Sequence, residues 1–320
     1  MNTDITTRHR ILGALWGSAV GDALGVPVEF IDREERRHDP VTSMRAFGTW
    51  NQPAGTWSDD SSLLLCSAES LLTKPAFDSD DMGRRFVEWR KAERWTPWGS
   101  VFDIGATTNE ALMKITRGTT AELAGGIDVT CNGNGSLMRI IPVALHSAAL
   151  TVPAMLDRVQ RASAITHRHV RSQMACGLYS LLTRRLLMGE SRPEAWTQAK
   201  EDFQRHYTAR EWAAEMPTFS ELLTADLTKT EEADIISGGY VLHTLTASIW
   251  CLLNTCNFSE AVLRAVNLGA DTDTTGCVTG GLAGLHYGHG AIPPEWTAVL
   301  ARKGDLDCLF QEFADHAIPT

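Results

Sequence analysis

The sequence predicts an all-α fold, and three observations carry that prediction. Apolar residues recur at helical spacing in segment after segment, alternating β-branched runs are almost absent, and two glycine series step by about four residues. The first series, Gly13, Gly17, Gly21 and Gly25, is echoed by Gly280, Gly281, Gly284 and Gly288. On helices this spacing clears one face of side chains and lets a neighbouring helix approach closely. A dinucleotide-binding loop is the competing reading, but it needs GxGxxG between a strand and a helix, and neither segment has that pattern.

Along the chain, helical stretches are expected at 61–73, 78–92, 103–117, 136–149 and 194–206. Residues 161–189 form one long helical region, with Met174, Leu178, Leu181 and Leu182 on its apolar face and a break around His167–His169. Val241, Leu242, Leu245, Ile249, Leu252 and Leu253 draw a further stripe. Phe258, Ala261, Val262, Ala265 and Val266 draw another, with Ser259 as a start signal and Gly269 as a stop. Twelve or more helices result. No low-complexity linker divides residues 1–320, so one compact domain is expected; the polar stretch about 190–236 is either a peripheral helical layer or a loosely attached insertion.

Composition narrows the function. The 320 residues are 43 % hydrophobic and 21 % charged, which excludes a disordered or fibrous chain. The 29 basic against 39 acidic residues leave a formal charge of −10, and there is no basic run to make a nucleic-acid surface. Seven cysteines without CxxC pairs read as buried free thiols rather than a disulfide framework. Arg8-His9-Arg10 before Ile11–Trp16 superficially resembles a signal peptide, but Asp22 follows soon and no convincing cleavage site is present. No apolar run approaches the ~20 residues of a membrane span. The expectation is a soluble, cytoplasmic protein.

Two Asp-rich clusters open apolar helices: Gly55-Thr56-Trp57-Ser58-Asp59-Asp60-Ser61-Ser62 and Gly269-Ala270-Asp271-Thr272-Asp273-Thr274. One acidic residue per helix start would serve as a cap, so two in each cluster exceed what capping needs. Four carboxylates gathered in an apolar core repel one another unless a cation neutralises them. Their oxygens, with the neighbouring hydroxyls, are hard ligands suited to Mg²⁺ or Mn²⁺, and two ions about 3.5–4 Å apart could activate a water. Cys131–Arg139, with Asn132-Gly133-Asn134-Gly135-Ser136, reads either as a tight turn before a helix at Leu137 or as N–H donors for phosphate or sugar oxygens. Thr166-His167-Arg168-His169 is a polar contact, a capped helix start, a substrate contact or a metal pair.

Together these segments resemble the ADP-ribosylglycohydrolase family. The matching pieces run in order from Gly13–Gly25 through Glu29-Phe30, Trp57–Ser61, Phe102–Thr108, Asn132–Arg139 and Thr166-His167 to Asn267–Thr274. The resemblance implies an all-α fold with a central two-metal cleft holding Mg²⁺ or Mn²⁺. It implies metal ligation by Ser58, Asp59, Asp60, Asp271, Asp273 and Thr274, with Asp273 bridging. Glu29 matches the family's mobile-loop glutamate, and Asp103 falls beside the scissile sugar. Asn134, Gly135 and Ser136 fall on the ribose and phosphate pocket, and His167 is a further substrate-binding candidate. The implied activity is removal of ADP-ribose from a modified protein or small molecule. Where the family usually has Thr, this chain has Ser58 and Ser61; where it has Gly, this chain has Ala270.

Two rivals remain. An isoprenoid-pyrophosphate enzyme would carry DDxxD, but position 63 is Leu. A non-catalytic, crystallin-like relative would not need all four motif aspartates.

Overall fold

Two helices, Thr7–Gly25 and Thr272–Tyr287, run antiparallel through the centre of the molecule, their backbones almost touching. In this computed structural model, which describes residues 5–74, 76–208 and 210–317, the approach is made by glycines. A Cβ on Gly13 would lie 2.1 Å from the Gly284 carbonyl oxygen, one on Gly17 2.2 Å from that of Gly280, and one on Gly21 2.0 Å from that of Gly276. The partner series is therefore Gly276, Gly280 and Gly284. Gly281 faces Tyr179 and Ile141 on another side, and Gly288, at φ +81°, ends the helix against Ile5.

Around this pair the other helices bury their apolar stripes. Val241–Leu253, Phe258–Asn267 and Val170–Leu187 pack on Thr272–Tyr287. Lys303–Ala317 packs on Thr7–Gly25 and Asp59–Thr73, with Phe310 edge-on to Trp16 at 5.2 Å. Ser79–Ala92 folds back on Asp59–Thr73. Among the described residues there is no β-strand, only isolated bridges such as Gly126 with His167. The polar stretch 190–236 joins the same core: Arg192–His206 lies on Val170–Leu187, and Trp196, Phe203, Phe219 and Leu222 are buried in the common apolar cluster.

Several expected boundaries move. The 136–149 helix shrinks to Ile141–His146, because residues 134–140 close separate turns (Leu137 and Met138 N–H to the Asn134 carbonyl) before Pro142 enters the first helical turn. The 103–117 helix runs Ala106–Thr116, so Gly105 rather than Asp103 is its N-cap. Asn257, not Ser259, caps Phe258–Asn267 by accepting from the Glu260 N–H, while Gly269 does follow its end at φ +76°. The break near His167 separates Val152–Ala164 from Val170–Leu187. One apolar stretch exceeds expectation: Thr7–Val28 is 22 residues long with a window of mean hydropathy 1.4, and from Ile11 to Val28 it is buried inside the protein. None of the seven cysteines is paired.

Candidate active site

The antiparallel pair brings the C-terminal end of Thr7–Gly25 beside the N-terminal end of Thr272–Tyr287, so both Asp-rich motifs meet there. Asp22, on the first helix, joins them: its carboxylate accepts from the Ser58 N–H (2.9 Å), the Ser61 N–H (2.9 Å) and the Ser61 hydroxyl. One helix thus caps the free N–H groups of another, Asp59–Thr73, and locks Asp59 and Asp60 in place. Ser58 accepts from the Asp60 N–H and donates to Asp60 Oδ2 (3.0 Å), and the Thr274 hydroxyl donates to the same oxygen (3.4 Å). The Asn134 side-chain amide donates to Asp271 Oδ2 (2.8 Å) and to Thr244 Oγ1 (2.8 Å).

A cavity of about 260 Å³ opens over these groups. Glu29, Asp59, Asp103, Asn134, Gly135, His167, Asp271 and Thr274 line it, and among the described residues no Lys or Arg does. Ser58, Asp60 and Asp273 are buried outside its lining, although Asp273 offers an oxygen within 4.8 Å of oxygens of Glu29 and Asp103. Ser136 lies deeper, its hydroxyl accepting from Ser163 (2.9 Å) and standing 3.4 Å from Cys176 Sγ.

His167 stands on the wall through a buried relay. The Arg139 guanidinium, over the Phe86 ring at 4.5 Å, donates to Thr166 Oγ1 (2.8 Å), which is hydrogen-bonded to His167 Nδ1 (2.8 Å). Burial and then the Arg139 charge push His167 down to about 3, so the ring is neutral. Gly135 must lack a side chain, since a Cβ would lie 2.8 Å from His167 Cε1. His169 turns away and accepts from the Arg171 N–H at the start of Val170–Leu187, so the two histidines share no ion.

Carboxylates dominate the electrostatics. Burial, then the charge of Asp103, pushes Glu29 up to about 8; burial, then Asp271, pushes Asp103 up to about 6. Burial raises Asp22 to about 6 and lifts Asp59, Asp60, Asp271 and Asp273 above the usual carboxylate range. Asp60 Oδ1 and Asp271 Oδ1 are buried with no hydrogen-bond partner. Buried carboxylate oxygens left without donors, on a wall without a basic side chain, fit hard divalent cations.

The Glu29 loop is held by its neighbours. The Trp50 indole N–H donates to Glu29 Oε2, the Phe30 N–H donates to the Ala270 carbonyl (2.7 Å), and the Ala270 N–H to the Ile31 carbonyl (2.8 Å). Phe30 (φ +63°) and Ala270 (φ +61°) both take the left-handed backbone region to make this clamp. Sequence reasoning did not single out Asp22, Trp50 or the Phe30 side chain. Asp22 carried a signal, being the lone acid in an apolar glycine-spaced helix; Trp50 carried none, since it reaches Glu29 through a loop.

The ADP-ribosylglycohydrolase family profile matches residues 3–319. An "ADP-ribosylarginine hydrolase Tri1" of Pseudomonas putida (strain GB-1) is 31 % identical over 308 residues, covering 96 % of this chain and 78 % of that protein. The "ADP-ribosyl-[dinitrogen reductase] glycohydrolase" of Rhodospirillum rubrum is 30 % identical over 305 residues, covering 94 % and 93 %. A solved structure described as an "ADP-ribosylglycohydrolase-related protein complex" superposes with a TM-score of 0.80 at 31 % identity, covering 98 % of this chain and 99 % of that one. With helices, motifs and whole-length matches in agreement, the chain belongs to the ADP-ribosylglycohydrolase family.

Proposed function

We propose that this protein hydrolyses the bond between ADP-ribose and a modified acceptor, a protein side chain or small molecule, by attack of water at the anomeric carbon of the distal ribose. The observation that carries the reading is one cavity in which Glu29, Asp59, Asp103 and Asp271 face the Asn134–Gly135 loop and neutral His167. Ser58, Asp59, Asp60, Asp271, Asp273 and Thr274 would hold two divalent cations, Mg²⁺ or Mn²⁺. Bound there, such ions supply the positive charge that fixes sugar hydroxyls and makes water a better nucleophile.

The chain's own residues do the rest. Asn134 fixes the orientation of Asp271 through its amide, and Asp22 fixes Asp59 and Asp60 through their helix start. Glu29, which accepts from the Trp50 indole N–H, and Asp103 both face the cavity and are placed to move a proton between water and leaving group as the sugar develops oxocarbenium character. The Gly133–Gly135 backbone gives a sugar or phosphate close access beside His167. The unpaired cysteines support a reducing, cytoplasmic setting.

The test is incubation with a panel of ADP-ribosylated acceptors in Mg²⁺ or Mn²⁺, reading out free ADP-ribose. Metal-dependent release is expected. Binding of ADP-ribose without release from any acceptor would make the chain a non-catalytic relative instead.

A further inference from the structure

A second cavity, of about 290 Å³ against about 260 Å³ for the first, shares a wall with it. In residues 235–240, Gly239 lines the first cavity, and Ile235, Ile236 and Tyr240 line the second. Three backbone hydrogen bonds tie this wall to the acidic site. The Asp271 N–H donates to the Ser237 carbonyl (3.1 Å), the Asn134 N–H to that of Gly239 (3.0 Å), and the Val241 N–H to that of Asn132 (3.0 Å). The other walls are the short helix Ser220–Thr224, the loop that follows it, and the first turns of Val241–Leu253. Well-formed cavities of this size are few in a protein, and small molecules bind in them.

Its lining is apolar at the base and acidic at the lip. Leu222, Leu227, Ile235 and Leu242 are buried, whereas Ile236, 58 % exposed, leaves apolar surface in water on the same lining as the exposed Glu221 and Asp234. Among the described residues no side chain donates a hydrogen bond to either carboxylate, and no Lys or Arg lines the cavity. The Tyr240 ring stands edge to face with His243, centroids 4.9 Å apart. Burial lowers His243 from its ordinary value, so that ring brings no charge at neutral pH. Among the described residues neither the His243 ring nitrogens nor the Thr246 hydroxyl has a hydrogen-bond partner. An anion entering here meets two like charges, and a purely apolar molecule leaves the carboxylates unused. A molecule with an apolar body and one protonated nitrogen suits both the base and the lip.

We propose that this second cavity binds a small amphipathic amine, an apolar ring or chain carrying one protonated nitrogen, at a site separate from the acidic cavity. The apolar body lies on Leu222, Leu227, Ile235 and Leu242, and the nitrogen faces Glu221 and Asp234. The assignment does not depend on the hydrolase reading above. Its position gives it a bearing on that site, because an occupant rests against the segment whose carbonyls hold Asn134 and Asp271.

The experiment is calorimetric titration of the full chain, at neutral pH, with three indoles that differ in one group: tryptamine, the neutral tryptophol and the anionic indole-3-acetate. Tryptamine is expected to bind most tightly and indole-3-acetate most weakly. The double variant Glu221→Gln with Asp234→Asn changes exposed side chains without changing their size, so the fold is kept. It should raise the tryptamine Kd about two- to thirty-fold, the range of two exposed ion pairs, and leave the tryptophol Kd unchanged. Glu312→Gln, an exposed acid on the last helix, controls for general attraction to a chain of charge −10 and should bind tryptamine like wild type. Repeating the titration in rising ADP-ribose with Mg²⁺ or Mn²⁺ separates the two cavities. Competition for one site raises the apparent tryptamine Kd without limit, whereas two sites across a shared wall give a change that levels off, which is expected. The proposal is overturned by any of four results: no tryptamine binding at millimolar concentration, no preference over tryptophol, equal effects of the double variant and Glu312→Gln, or competition without limit. If wild type binds no ADP-ribose, the hydrolase reading falls and the variant comparison alone decides this site.

Discussion

The central helix pair and the Glu29–Ala270 loop pair each bring two backbones together, and they do so by opposite means. Along Thr7–Gly25 and Thr272–Tyr287 the contact is made by removing side chains: Gly17 and Gly280 leave no room for even a methyl group. At the loops the contact is made by bending the chain: Phe30 and Ala270 keep their side chains and take left-handed φ, the Phe30 N–H donating to the Ala270 carbonyl and the Ala270 N–H to that of Ile31. The helix pair sits in relaxed backbone and fixes where the loops must meet. Two of the chain's left-handed non-glycine residues, Phe30 and Ala270, stand in the loops that carry Glu29 and Asp271, where a catalytic geometry has to be held.

Disturbing the helix pair should therefore have the largest effect. A Cβ at Gly280 would lie 2.0 Å from the Gly17 carbonyl oxygen, a backbone atom that no rotamer change can move. Gly280→Ala should cost more than the roughly 1–3 kcal/mol of ordinary overpacking and lower the melting temperature steeply, or prevent folding. Gly290→Ala, where nothing lies within 4 Å, is the control and should melt like wild type. A Gly280→Ala protein that also melts like wild type would mean that the helices can separate freely, and the contrast with the loops would collapse.

The next effect belongs to the loop side and leaves the scaffold untouched. Asp103 does not cap a helix, so Asp103→Asn should keep the fold and ADP-ribose binding, while turnover falls about 10²-fold or more, the scale of losing a positioned acid or base. Steady-state hydrolysis at saturating metal checks this. Near-normal turnover would leave Glu29 as the proton carrier.

Metal and pH test the same loops more gently. A carboxyl whose folded-state pKa lies above its unfolded value gives stability that is complete below the unfolded value and is lost as pH rises through the folded one. Burial and mutual charge place Glu29 at about 8 and lift Asp59, Asp60 and Asp273 as well. The chelated protein should therefore melt progressively lower from pH 7 to 8.5. In that window His146, His167 and His286, which burial holds neutral in the folded protein, are mostly uncharged in the unfolded chain too and oppose the trend only weakly, near pH 7. Saturating Mg²⁺ or Mn²⁺ should raise the melting temperature, by the equivalent of about 2.7 kcal/mol at a hundred times Kd, and the gap to the chelated protein should widen with pH. A gap that stays constant, or no metal effect at all, would contradict cation binding by these carboxylates.

How much of this was legible in sequence follows from the range of the interactions involved. Val241–Leu253 and the glycine series were readable because helical periodicity and four-residue steps are local patterns. The Gly276 partner was missed because register between helices distant in sequence is set by packing. Asp59, Asp60, Asp271 and Asp273 stood out as doubled acids at helix starts, and the structure brings both pairs to one end of the central helices. Leu137 misled because an Asn-Gly loop followed by apolar residues looks like a helix start, whereas the chain closes turns on the Asn134 carbonyl first. Trp50 was invisible because its partner lies 21 residues away across a loop. Such a contact leaves no periodic trace.

The smallest effect isolates the strain itself. Ala270 takes φ +61° in the clamp that ties the Asp271 loop to the Glu29 loop. Left-handed backbone costs an L-residue roughly 1–2 kcal/mol that glycine does not incur, while glycine gives the unfolded chain extra freedom worth roughly 0.5–1 kcal/mol. The balance favours Ala270→Gly by about 0.5 kcal/mol, a rise of about 0.7 °C in the melting temperature for a chain of this size. Its two clamp hydrogen bonds use only backbone atoms and survive the substitution, so turnover should stay at the wild-type level. The reverse change on the adjacent residue, Gly269→Ala, should fail badly, because φ is +76° and its Cβ would lie 2.6 Å from the Arg33 nitrogen. Thermal melts and steady-state kinetics on the pair measure both sides of the contrast. If Ala270→Gly melts lower than wild type, the methyl group stabilises the loop more than its backbone strains it, and the loops would be held by packing in the same way as the helix pair.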